Sequence, residues 1–194
     1  MISSDGGGGG GGDGDGDTRP VEVLAQGKHL RLVSERGWEY VVRPHSTGVV
    51  VIVAVTPSRR LILVEQFRVA VHRSVIELPA GLVGDTAASR GEPLATAAHR
   101  ELIEETGYEA ERMIELAAGP IAVGLSTEVV TFFHAQGLRR VGPGGGDETE
   151  EITVHEVALD ELRAWLAEKQ SSGLAVDPKL FAGLYLIGIG REAS

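Results

Sequence analysis

EPLATAAHRELIEETG, residues 92–107, sets Arg100, Glu101, Glu104 and Glu105 within the last turns of one helix. Pro93 suits the first helical position, where a missing N–H costs nothing. Leu94, Ala97, Ala98 and Leu102 recur at three- and four-residue spacing and make one apolar stripe. Gly107 falls where a left-handed C-terminal cap is expected. On such a helix Glu101 and Glu105 are four residues apart and share a face, with Glu104 beside them. Arg100 and Glu104 have the same spacing, which suits an ion pair that orients the carboxylate. Three carboxylates this close repel one another, and a divalent cation among them makes their association favourable. A metal site is one reading of the segment, and a solvated acidic helix face is the other.

Upstream, Val75-Ile76-Glu77-Leu78-Pro79-Ala80-Gly81 reads as a short buried strand ending on a glycine. That glycine permits a turn bringing backbone carbonyls toward the helix. Strand, glycine loop and acidic helix together resemble the Nudix box, G-x5-E-x7-R-E-U-x-E-E-x-G-U, where U is a bulky apolar residue. Glu92 and, after seven residues, Arg100-Glu101-Leu102-Ile103-Glu104-Glu105-Thr106-Gly107-Tyr108 match its second half at every fixed position. The first half departs: Gly81 lies eleven residues before Glu92 instead of six, so loop 82–91 carries five extra residues. Surface loops tolerate such insertions.

The rest of the chain narrows the function classes. With 194 residues, 42% hydrophobic and 24% charged, it has material for one good core, expected as a single domain over residues 19–194. Residues 5–17, DGGGGGGGDGDGD, offer no apolar surface, so residues 1–18 are expected to be a disordered tail. The formal charge is −10, with four acids and no base in that stretch. No basic stripe remains for a phosphate backbone, which argues against a nucleic-acid binder. The absence of cysteine excludes disulfides, thiolate zinc sites and thiol catalysis. The apolar run Val49–Val55 is far too short to span a bilayer. With no secretory pattern at the N-terminus, a cytoplasmic location is expected. Six scattered histidines have no metal-ligand spacing, and His99 is turned about 100° from Arg100 on the helix.

Short β patterns fill the first half: Val21–Leu24, Lys28–Glu35 and Trp38–Pro44, then Val49–Thr56 and Leu61–Phe67 as an apolar pair joined by a Pro57–Arg60 turn. Strand patterns return at Met113–Ala118, Val129–Gly137 and Thr153–Ala158. Leu159–Glu168 has helical periodicity, and a last helix is expected from an Asp177 N-cap and Pro178 toward Gly188. Strands, a helix, more strands and further helices indicate an α/β fold. The resemblance implies the same: a mixed β-sheet sandwiched between helices, with an N-terminal antiparallel β segment at 19–47.

Several details look like the ADP-ribose and nucleoside-diphosphate-sugar pyrophosphatase branch of that family. Val64-Glu65-Gln66-Phe67-Arg68 followed by Glu77-Leu78-Pro79-Ala80-Gly81 is a pairing typical of the branch, and it implies Arg68, Glu77 and Gly81 at the substrate pocket. A guanidinium facing a diphosphate is chemically apt. Arg36–Arg43 resembles the region that supplies a base-stacking aromatic and an arginine, which would be Trp38 and Arg43. Trp38 also suits packing on a neighbouring strand, and Arg43 a plain strand end. In the family this segment swaps between the subunits of a homodimer. Gly124-Leu125-Ser126-Thr127-Glu128 looks like the P-G-x-S-x-E loop, which implies Ser126 and Glu128 in substrate binding. Val123 stands where that loop has the proline associated with ADP-ribose specificity. Asp147–Glu151 looks like the acidic loop that supplies the catalytic base, with Glu150 favoured, then Glu148 and Glu151; acids and glycines in a row also make an ordinary solvated loop.

The resemblance implies hydrolysis of a nucleotide sugar at its diphosphate bond, most simply ADP-ribose to AMP and ribose 5-phosphate. It implies Mg2+, or Mn2+, held by Glu101, Glu105 and the Ala80 carbonyl, with Glu104 on a second ion or a water. Arg100 would position a glutamate. A cation on the phosphates lowers their charge and favours attack by water, and it lets an acidic protein take an anionic substrate. Three rivals stand beside this reading: a Nudix enzyme for another nucleotide sugar, dinucleoside polyphosphate or oxidised nucleotide; a sensor that binds without turnover; and a module whose acidic helix is structural.

Overall fold

Residues 48–54, GVVVIVA, are apolar at every position after the glycine, and a strand can bury such a run only if both of its faces are covered. The computed structural model, which describes residues 20–86, 89–146 and 151–189, covers both. The expected tail at 1–18 lies outside the described residues. In chain order the first strands are β1 (Glu22–Gln26), β2 (Arg31–Glu35), β3 (Trp38–Val42) and β4 (Gly48–Ala54). After them come β5 (Arg60–Arg68), β6 (Arg73–Glu77), β7 (Ala80–Val83) and helix α1 (Leu94–Thr106). The second half holds β8 (Tyr108–Glu109), β9 (Arg112–Pro120), β10 (Val129–Gln136), β11 (Arg139–Arg140) and β12 (Ile152–Ala158). Helix α2 (Leu162–Ser171), β13 (Ala175–Val176) and helix α3 (Lys179–Leu186) follow.

Two four-stranded mixed sheets form the centre, ordered β7-β4-β10-β9 and β12-β5-β6-β13. Strands β4 and β10 run parallel, as do β6 and β13. Val50, Ile52 and Ala54 pack in one cluster with Ala97, Ala98 and Leu102 of α1. Their neighbours Val51 and Val53 pack in the other cluster, with Leu162 and Leu166 of α2 and Leu180 and Leu184 of α3. Helices therefore cover the sheets on both sides, as the sequence leads one to expect.

Several local expectations are corrected. The single strand expected over 75–81 is two, β6 and β7, which lie in different sheets on either side of Leu78-Pro79. The segments 49–56 and 61–67 are not a ladder-paired hairpin: β4 and β5 belong to different sheets and meet at one bridge, Val55 to Leu61. Both strands carry an apolar run buried on both faces, which in β5 is Leu61–Val64, with Ile62 in one cluster and Leu61 and Leu63 in the other. Pro93 precedes the helix: its extended backbone (φ −63°, ψ 145°) makes it the N-cap. Its carbonyl accepts N–H bonds from Thr96 and Ala97, and Leu94 is the first helical residue. Helix α2 begins at Leu162, three residues later than its periodicity indicates. At α3 the helix begins at Lys179, one residue after the Pro178 expected in first place, and the cap bond comes from the expected residue, Asp177 Oδ1 accepting the Lys179 N–H at 2.8 Å.

Strands β1, β2 and β3 form a separate antiparallel sheet. Its tight turn at Arg36-Gly37, with φ of 52° and 83°, has the two left-handed residues of a type I′ hairpin. The sheet joins the loop before β10 through backbone bonds: Val41 N–H to the Leu125 carbonyl at 2.8 Å, and Thr127 N–H to the Val41 carbonyl at 3.3 Å. All of β1 is exposed, Val23 and Leu24 included. Among the described residues no helix is long and apolar enough to cross a membrane.

Candidate active site

Helix α1 buries Ala97, Ala98 and Leu102, so its carboxylates are carried at a fixed height above the sheet. They differ sharply in exposure: Glu105 keeps 3% of its surface, while the side chains of Glu101 and Glu104 keep 14% and 49%. Glu105 Oε2 accepts the Ala80 N–H at 3.0 Å, which anchors the innermost carboxylate to β7. Glu101 lies against Gly81 so closely that a β-carbon there would stand 1.9 Å from its carboxyl carbon. Gly81 is thus explained by this close approach within a strand, and not by the turn its sequence context suggests.

Arg100 ties the group together. Its Nη1 donates to Glu101 Oε1 at 2.8 Å and to Glu104 Oε2 at 2.9 Å, the pair that the helical spacing predicts. Its Nη2 donates to Glu92 Oε1 at 2.8 Å. The Glu92 contact, with Glu101 and Glu104 adding to it, pushes the Arg100 pKa above its usual range, so the guanidinium stays charged. Among the described residues no three carboxylates or histidines are drawn around one point, since Arg100 takes oxygens from Glu101 and Glu104. The donor set nonetheless suits a hard cation: oxygen ligands on one wall, with a glycine cradle beneath one of them.

These groups line a cavity of about 470 Å³ that also holds Arg43, Arg68, Glu77, Ala80 and Glu128. Arg68 grips Glu77 through Nε at 2.7 Å and Nη2 at 2.6 Å, both on Oε2. Burial pushes the Glu77 carboxyl above its ordinary range, Asp177 adds to that shift, and Arg68 and Lys179 oppose it. Arg43 Nε donates to Glu128 Oε1 at 2.9 Å, joining the end of β3 to the start of β10. Trp38 and Ser126 line a neighbouring, mainly apolar cavity of about 490 Å³ with Tyr40 and Val123. Trp38 is 70% exposed there. Glu151 is exposed just before β12, and Glu148 and Glu150 lie outside the described residues.

Four polar residues of this cavity were missed by sequence reasoning. Asp85 and Thr86 come from the lengthened loop. Their turn is bound by Ser89, whose hydroxyl meets the Thr86 hydroxyl at 2.7 Å. Asp177 and Lys179 arrive because β13 lies parallel to β6, with Val176 opposite Ile76 and the Asp177 N–H bonded to the Ile76 carbonyl at 2.9 Å. Continuing that register sets Asp177 beside Glu77. Only the Asp177 capping signal was visible in the sequence.

The comparisons with known proteins agree with the resemblance. The chain is 35% identical over 124 residues to a methanol dehydrogenase activator of Bacillus methanolicus, covering 63% of this chain and 64% of that one. It is 36% identical over 115 residues to an ADP-ribose pyrophosphatase of Bacillus subtilis, covering 59% and 60%. The chain thus spans less than two thirds of the length of these relatives. A crystal structure of an ADP compounds hydrolase shares the fold, with a TM-score of 0.65 at 23% identity over 87% of this chain and 89% of that one. The NUDIX domain matches residues 45–175, and the chain belongs to the Nudix family.

Proposed function

We propose that this protein is a Nudix pyrophosphohydrolase that splits the diphosphate bond of a nucleoside diphosphate linked to a sugar, with ADP-ribose, giving AMP and ribose 5-phosphate, as the leading substrate. The observation that carries the reading is one cavity lined both by three α1 carboxylates and by two arginines, Arg68 of β5 and Arg43 just past β3. The name of the B. subtilis relative supports the substrate class.

Glu101, Glu105 and the Ala80 carbonyl would hold Mg2+ or Mn2+, with Glu104 serving a second ion or a water. Such a cation would lower the charge on the diphosphate and favour attack by water. Arg100 positions Glu101 and Glu104 and leaves substrate to other groups. Arg68 and Arg43 would receive phosphate oxygens. Glu77 and Glu128 would keep those guanidinium groups aimed, Gly81 gives Glu101 room, and Ser126 would donate to the bound nucleotide. Trp38, with the apolar cavity beside it, would stack on the base. A glutamate of the 147–151 loop, Glu150 before Glu148 and Glu151, would take the proton from the attacking water. The exposed apolar residues of β1 support pairing of segment 19–47 in a homodimer. We place the enzyme in the cytoplasm and its activity within one domain, residues 19–194.

A second reading keeps the chemistry and changes the sugar or base, because Val123 stands at the position of the ADP-ribose-linked proline and is itself exposed. The test is a panel of ADP-ribose, ADP-glucose, UDP-glucose, GDP-mannose and a dinucleoside polyphosphate with Mg2+, followed by nucleoside monophosphate release. Preference for ADP-ribose supports the leading substrate, and preference for another favours the second reading. Tight binding without turnover would replace both with a sensor.

A further inference from the structure

Helix α1 ends where Glu104 and Glu105 sit, and its last carbonyls need partners from elsewhere. The Ile103 carbonyl is closed by the Gly107 cap at 2.9 Å. The next two belong to Glu104 and Glu105, and both are taken by one distant segment: Gly146 N–H bonds the Glu104 carbonyl at 3.1 Å, and Gly145 N–H bonds the Glu105 carbonyl at 2.8 Å. One residue past the helix, the Gly107 carbonyl accepts from Val141 at 2.8 Å and Gly142 at 3.1 Å.

The contact is backbone against backbone. A β-carbon on Gly107 would fall 2.2 Å from the Gly142 carbonyl oxygen, and one on Gly144 would fall 2.4 Å from the Thr106 carbonyl carbon. Gly144, Gly145 and Gly146 have φ of 70°, 111° and 80°, where side chains are rare. A solvated acidic-glycine loop has no need of such packing. Glu105 is held twice, by Gly145 at its carbonyl and by Ala80 at its carboxylate.

We propose that Gly142–Gly146 is a positioning clamp for the metal-ligating end of α1, setting divalent-ion affinity through the backbones of Glu104 and Glu105. This rests on the metal reading above. Groups that hold ligands in place affect metal affinity by about 10–100-fold, so loosening the clamp should weaken the ion within that range.

The full chain is titrated with Mn2+ by isothermal calorimetry, with circular dichroism to follow the fold. Gly144→Ala introduces the clash. Gly145→Ala tests the backbone angle alone, since its β-carbon meets nothing nearer than 3.9 Å. Gly173→Ala, at φ 98° with open space around it, controls for a left-handed alanine elsewhere. The expected result is about tenfold or more weaker Mn2+ binding in the first variant, a smaller loss in the second and none in the control. Unchanged affinity in folded Gly145→Ala, or an equal loss in Gly173→Ala, overturns the clamp.

A measurement on the unsubstituted chain needs no variant to fold. By reciprocity of linked equilibria, Mg2+ should slow amide exchange at Gly145 and Gly146. Exchange indifferent to Mg2+ overturns the clamp even though the ion binds. A chain that binds neither ion defeats the metal reading itself, and the clamp with it.

Discussion

Gly81→Ala adds one methyl group at the place where the backbone of β7 meets Glu101. The new carbon would stand 1.9 Å from the Glu101 carboxyl carbon, against an ordinary contact of at least 3.4 Å, so the carboxylate must retreat by about 1.5 Å. The obstacle is the far end of a flexible side chain, and Gly81 has no left-handed backbone angle to defend, so the fold should survive. A misplacement of about 1 Å in a reacting group costs on the order of 100-fold, and the expected fall in kcat/KM is of that size, about 2.7 kcal/mol. Initial rates of AMP release from ADP-ribose under saturating Mg2+ provide the readout, with a thermal melt alongside. A folded Gly81→Ala enzyme within threefold of the parent rate would refute the cradle and, with it, the assignment of Glu101 as a ligand.

Glu105→Gln keeps an acceptor for the Ala80 N–H, so its melting temperature should stay near the parent value while kcat falls by two to three orders of magnitude, on the order of other lost electrostatic stabilisers; steady-state kinetics decide. Chelation with EDTA should abolish turnover, and added Mg2+ or Mn2+ should restore it. Arg68→Lys keeps the charge but loses the planar fork that grips Glu77, and KM should rise about tenfold, as measured by substrate titration. Burial lowers the His134 pKa below 6.5, so the native state binds fewer protons in acid than the unfolded chain does. That contribution to stability is complete above the unfolded value and is lost as pH falls below it. Urea midpoints at about pH 7.5 and about pH 5.5 should therefore differ less in His134→Gln than in the parent.

What could be read in the sequence was mostly local. Helix α1 was legible because Ala97, Ala98 and Leu102 repeat at helical spacing and Gly107 marks the end, and the Arg100–Glu104 pair follows from the same geometry. The longer β-strands were found with shifted ends because alternation marks the middle of a strand better than its limits, whereas the two-residue strands β8, β11 and β13 are too short to carry a pattern. The apolar runs Val50–Ala54 and Leu61–Val64 gave no hint that β4 and β5 lie in different sheets, since both read the same when every position is buried. Lys179 escaped notice because only the pairing of β13 with β6, about a hundred residues apart in sequence, brings it to the cavity. Asp85 and Thr86 escaped because an inserted loop carries no pattern to fix where it turns. The purpose of Gly81 was hidden for a related reason: its partner is a side chain twenty residues on.

Strand β4 divides what this protein can change from what it cannot. Each of its residues from Val50 to Ala54 has no exposed surface, and alternate ones serve different cores. No position there offers a neutral substitution, because a larger or smaller side chain disturbs one helix layer or the other. Exposed positions at the rims of the sheets, Asp85 and Thr86 after β7 and Val123 in its turn, carry no such constraint and can change without disturbing either helix layer. Those residues line the two cavities, so the changes that the fold tolerates fall where, on the function proposed above, they would alter the choice of substrate while the architecture is held still.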